Sequence, residues 1–139
     1  MALVMDKAAL AAFLRRDFAQ VADDFRVERA DETGVCLRLV AQERHLRPGG
    51  TVSGPALFAL ADVAMYLAIL SRLGPVALAV TTNCSIDFMR KPEAGRDVLA
   101  EARLLKLGRT LAVGDVLVYS EGKPEPVARA GLTYSIPPR

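Results

Sequence analysis

Histidine is all but missing from this chain. His45 is the single one in 139 residues. A multi-histidine metal site is therefore unavailable, and a Ser-His-Asp triad would have to rest on a residue in a polar loop. The two cysteines, Cys36 and Cys84, show no metal-binding or redox spacing and read as reduced core thiols. An excess of one charge is missing too. Eighteen Lys and Arg against 16 Asp and Glu leave a formal net charge of +2, with the signs interspersed. No basic run or basic-aromatic interleaving marks a nucleic-acid surface. No repeat, low-complexity tract or glycine-rich nucleotide loop is present. The longest apolar run, residues 56–70, falls short of the roughly 20 residues of a membrane span. The N-terminus lacks the apolar core and cleavage site of a secretory leader. These absences predict a cytoplasmic protein without metal or membrane, with residues 1–139 as one domain.

What is there is a hydrophobic fraction of 52%, enough to build a sizeable core. Residues 6–20 read as a helix: Asp6 can cap it, and Leu10, Phe13, Leu14 and Phe18 share a face. Residues 25–41 read as two short strands around a turn at 31–34, and residues 42–53 as a polar Gly/Pro-rich loop. A helix over about 54–72 follows, with Ser53 as N-cap, Pro55 in its first turn and Gly74-Pro75 as its stop. Strand patterns then occupy 76–89, 97–107, 110–120 and 126–136. Four successive strands with short loops predict an antiparallel sheet. A helix apolar on nearly every side must be enclosed. A curved antiparallel sheet wrapped around one central helix meets both demands, so the predicted class is α+β.

Between Ala56 and Leu70 the one side chain that is neither apolar nor aromatic is Asp62. A carboxylate in such surroundings is costly unless it is paired or hydrogen-bonded. Either it bonds locally or sits where the helix surfaces, or it is a general base or nucleophile. Gly50, Gly54 and the capped helix start offer backbone N–H groups at a positive dipole end, which suits an oxyanion. Gly54 keeps its N–H and Pro55 has none. Asp62 lies eight residues beyond Gly54, about 12 Å along a helix axis. One chain cannot easily bring both groups to one carbonyl; two antiparallel copies of the helix could. If both are catalytic, the site is shared across a dimer.

The stretch HLRPGGTVSGPALFALAD, followed by VTTNCSIDFMRKPEAGRDVLAEARLLKLGRTLAVGDVLVY, resembles the hotdog-fold acyl-CoA thioesterases of the phenylacetate-degradation type. The likeness runs from about residue 30 onward. The family's Asn, Gly, His-Gly-Gly and Leu-x-Asp positions fall here on Arg47, Gly50, Ser53, Gly54, Pro55, Leu60 and Asp62. The resemblance implies a hydrolase of acyl-CoA thioesters that needs no cofactor, the CoA moiety belonging to the substrate. It implies Asp62 as the catalytic carboxylate, Gly54 of the opposite subunit as oxyanion donor and Thr81 as the residue orienting the water. It implies Arg109, in a Leu-Gly-Arg turn, near the CoA phosphates, where Arg90, Lys91, Arg103 and Lys106 could join it. The family's assembly implies a homodimer, paired through the strand after the helix and often doubled into a tetramer.

Three departures stand out. Ser53 replaces a histidine; it can cap the helix and donate a hydrogen bond. Pro55 replaces a glycine and removes one donor. Arg47 replaces an asparagine with a fixed charge that could meet an acyl carboxylate, a phosphate or Asp62. His45 is expected at the surface or stabilising the loop before Arg47, the alternative being a contact with substrate. Two other functions stay open on the same fold. One is a non-catalytic acyl-CoA sensor, suggested by Ser53 and Arg47. The other is an acyl-thioester hydratase, which would have to use His45.

Overall fold

The computed structural model describes residues 2–138. Helix α1 (Lys7–Asp17) starts where Asp6 accepts the Ala9 N–H at 2.9 Å, and it buries Leu10, Phe13 and Leu14. It ends sooner than the expected residue 20. Phe18 leaves helical geometry, and its ring meets Tyr66 edge-on with centroids 6.0 Å apart.

Strands β1 (Phe25–Asp31) and β2 (Gly34–Leu39) form the expected hairpin. Asp31 shapes its turn by accepting from the Thr33 N–H and hydroxyl. Helix α2 (Gly54–Leu73) is capped by Ser53, whose Oγ accepts the Ala56 N–H at 3.2 Å; such a cap is worth about 1 kcal/mol. Gly74 stops the helix with φ +93°, a conformation that an L side chain rarely adopts.

Strands β3 (Val80–Phe88), β4 (Val98–Leu107), β5 (Leu111–Ser120) and β6 (Pro126–Ser135) complete one antiparallel sheet in the order β1-β2-β4-β5-β6-β3. Strands β4, β5 and β6 follow one another as a meander. β3 does not join them in chain order; it lies beyond β6 at the far edge. The cause is α2. It leaves the β2 side of the sheet, crosses the inner face chiefly over β4, β2 and β5, and delivers the chain to the opposite edge. Small side chains let the helix approach: a Cβ on Gly114 would come within 2.6 Å of the Met65 sulfur.

The helix is 20 residues long, and its length and composition alone would suit a membrane span. The sheet buries most of it instead. The expectation that α2 is enclosed on every side holds only in part. From Leu60 to Ser71 every residue but Asp62 is buried, whereas Pro55, Phe58 and Ala59 are exposed. With Asp62 these fall at i, i+3, i+4 and i+7, a single stripe along the helix. Beside it, edge strand β3 and the residue after it expose Val80, Phe88 and Met89. On the outer face of the sheet, Arg38 ties three segments together through Glu28, Asp97 and Glu121.

Candidate active site

Asp62 sits in the third turn of α2, at the end of the exposed stripe, half-buried. Its Oδ1 accepts two hydrogen bonds, from Thr81 Oγ1 at 2.6 Å and from the Tyr134 hydroxyl at 2.7 Å. The Tyr134 hydroxyl also lies 2.9 Å from the Asp62 carbonyl oxygen, so its one proton is shared between two acceptors on the same residue. Oδ2 accepts no hydrogen bond from the described residues.

A bulge aims Thr81. Along β3, Cys84, Ile86 and Phe88 pair with Leu132, Ala130 and Ala128, residues of the inner face of β6. Strict alternation would put Thr82 inside next. The register shifts between Thr81 and Asn83, and the extra residue brings Thr81 opposite Tyr134. Thr82 is left exposed, donating to the Thr133 carbonyl at 3.2 Å.

Tyr134 was missed in the sequence. The signal was available: Ala128, Ala130, Leu132 and Tyr134 alternate toward the core, so the last of them carries a hydroxyl to the helix side of β6. Tyr134 is 3% exposed. Burial raises its phenol well above the usual tyrosine range, and the neighbouring Asp62 charge raises it further. The hydroxyl is held as a neutral donor.

A cavity of about 430 Å³ adjoins the carboxylate, walled by Phe18, Tyr66, Leu78, Val80, Thr81 and Tyr134. The rings of Tyr66 and Tyr134 stack with centroids 6.2 Å apart. The Tyr66 hydroxyl donates to the Ala77 carbonyl at 2.8 Å and so ties the α2–β3 connection to the helix.

Gly54 lies elsewhere. It lines a second cavity of about 340 Å³ with Arg47, Phe88, Met89, Arg90 and Lys91. Its N–H donates to no acceptor among the described residues. The N–H of Gly50, expected to be another oxyanion donor, is taken by the Arg47 carbonyl at 3.0 Å. Ser53 serves as the cap, and its N–H donates to the His45 carbonyl at 2.8 Å. His45 is buried, not at the surface. Its Nδ1 accepts the Gln42 N–H at 3.0 Å, and the residue stabilises the loop that leads to Ser53.

The predicted residues thus fall into groups. Asp62 and Thr81 meet; Arg47, Gly54, Arg90 and Lys91 meet; the two sets line different cavities. Arg47 is exposed and does not touch Asp62 within the chain. Lys106 and Arg109, at the β4–β5 turn, line neither cavity. Arg103 is engaged by Asp115 at 2.8 Å. That pair borders a depression of about 650 Å³ on the outer face, where Asp87 likewise pairs with Arg129. Among the described residues no cluster of three or more His, Cys, Asp or Glu could hold a metal ion.

Comparison with known proteins yields a consistent pattern. Residues 49–127 match the profile of the thioesterase superfamily. A crystal structure of a candidate thioesterase from a Silicibacter species is 61% identical; the match covers 99% of this chain and 96% of that one, with a TM-score of 0.93. A mutant of the phenylacetic acid degradation protein PaaI from Thermus thermophilus is 34% identical over 87% of this chain and 100% of its own, with a TM-score of 0.72. A candidate esterase of Archaeoglobus fulgidus is 33% identical over 89 residues, which are 64% of this chain and 56% of that protein's length.

Proposed function

The chain belongs to the thioesterase superfamily, a family of thioester hydrolases, and from that premise we propose that it hydrolyses acyl-CoA thioesters to a free acid and CoA at a site assembled from two copies of itself. One observation carries the reading. Among the described residues, Asp62 has one oxygen bound by two hydroxyls and the other without a partner, whereas Gly54, whose N–H meets no acceptor among them, lines a different cavity of the same chain. A base and an oxyanion donor must converge on one carbonyl. Antiparallel apposition of two α2 helices along the stripe of Pro55, Phe58 and Ala59 sets Asp62 of one copy against Gly54 of the other. The edge of β3 supports the same apposition, because its unpaired backbone can extend the sheet into a second copy.

The chemistry follows in this reading. Asp62 Oδ2 takes a proton from a water molecule, and the water oxygen attacks the thioester carbonyl carbon. The Thr81 hydroxyl donates its hydrogen bond to Asp62, so its oxygen lone pairs accept the water's other O–H and orient it. The charge that gathers on the carbonyl oxygen is met by the Gly54 N–H at the positive end of α2. The C–S bond breaks, and the proton held by Asp62 leaves with the CoA thiolate. Arg47, Arg90 and Lys91, brought together around Gly54, are suited to the anionic parts of the substrate. No cofactor is required. Both thiols are free, which fits a cytoplasmic setting.

The test is release of CoA thiol from short, medium and aromatic acyl-CoAs by the wild type and by Asp62→Asn. Turnover by the wild type and a loss of at least a hundredfold in the variant are expected. Tight acyl-CoA binding without any turnover would instead make the chain a binding module.

A further inference from the structure

We propose that Tyr134 is a positioning residue for Asp62, holding Oδ1 inward so that Oδ2 alone is presented to the attacking water. This rests on the reading of Asp62 as the base. A carboxylate on a helix turns about two bonds, Cα–Cβ and Cβ–Cγ, and a single hydrogen bond leaves its plane free to swing about the bonded oxygen. Thr81 alone supplies that single hydrogen bond. Tyr134 fixes the plane from a second direction. Its hydroxyl contacts both the carboxylate at 2.7 Å and the carbonyl oxygen of the same residue at 2.9 Å. It thereby references the side chain to its own backbone.

Three features separate this role from plain packing. Thr81 and Tyr134 are direct cross-strand partners, so the two donors are set at a fixed separation by the β3–β6 ladder. The phenol is buried, and burial together with the Asp62 charge favours its neutral form, so it stays a donor. And the ring has its own neighbour, Tyr66, against which it stacks. Removing the hydroxyl alone therefore leaves the ring's packing intact.

The experiment compares wild type, Tyr134→Phe, Asp62→Asn and the double variant on one acyl-CoA hydrolysed by the wild type. Tyr134→Phe is expected to lower kcat about tenfold to a hundredfold, the scale of a displaced catalytic group, with KM within twofold. In the Asp62→Asn background the same change should have no further effect, since the hydroxyl acts through Asp62. Replacing Tyr134 by p-aminophenylalanine keeps a donor at the same reach and should restore most of the rate. An unchanged kcat in Tyr134→Phe, a full further loss in the Asp62→Asn background, or no rescue by the amino donor each overturns the proposal while the reading of Asp62 stands. Full turnover by Asp62→Asn overturns both.

Discussion

Thr81 and Tyr134 face each other across β3 and β6, and their hydroxyls end on the same oxygen of Asp62. The pairing exists because β3 slips by one residue at Thr82. Of two adjacent threonines, one serves the carboxylate and the other faces solvent.

The two threonines should therefore respond differently to the same change. Thr81→Val is expected to lower kcat by about tenfold or more, as for loss of an oriented water, and Thr81→Ser to retain most of the rate. Thr82→Val should leave kcat and KM at wild-type values, because its hydroxyl only reaches the Thr133 carbonyl. Steady-state kinetics on the three variants decides it. Equal losses at both positions would show that the bulge does not select between them.

Gly54→Pro removes a single N–H. The first residue of a helix tolerates proline. Ser53, at φ −76° and ψ 159°, already has the extended backbone favoured before proline. A Cβ at Gly54 meets the Phe88 ring at an ordinary 3.5 Å. The variant should fold, and kcat should fall by about 10²–10³, the usual cost of one oxyanion donor. Co-refolding it in equal amounts with Asp62→Asn gives mixed dimers with one intact site each, and so about a quarter of wild-type activity by random pairing in a two-fold dimer. Recovery of none would sink the shared site.

Phe58 is 39% exposed on the stripe between Pro55 and Asp62. Phe58→Glu puts like charges face to face if two stripes meet. Sedimentation should then report a folded monomer, with turnover lost and circular dichroism retained. A variant that stays active as a monomer would contradict catalysis between copies.

The Cys36 thiol lies under the outer face, where burial first and Glu101 second push it up to about 12 from a usual value of 9.0. The folded chain holds this proton more tightly than the unfolded one. Its contribution to stability is therefore complete below about pH 9 and is lost as pH rises toward about 12. Urea midpoints measured from pH 8 upward should fall less steeply in Cys36→Ala than in the wild type. Parallel slopes would show that the thiol is no more protected in the fold than outside it.

Much of this was legible in the chain. Caps and stops announced α2: Ser53 before it, Pro55 inside its first turn and Gly74 after it act through a few neighbouring backbone groups. The alternation of Val98, Ala100 and Ala102 announced a strand in the same local way. Asp62 stood out because a lone carboxylate among apolar side chains is expensive wherever it goes. Tyr134 did not stand out. A tyrosine near the end of a strand is ordinary until the partner strand and the helix above it are in place. His45 was half legible: it stabilises its loop as expected, yet that loop folds over it and takes it from the surface.

The sequence by itself determined the elements, their class and the lone carboxylate of the central helix, since capping, periodicity and the cost of an isolated charge are set over a few residues. Only the tertiary structure decided the strand order, the threonine that meets Asp62 and the tyrosine that joins it. Those depend on register between segments about 50 to 70 residues apart, where a slip of one position turns every side chain to the other face.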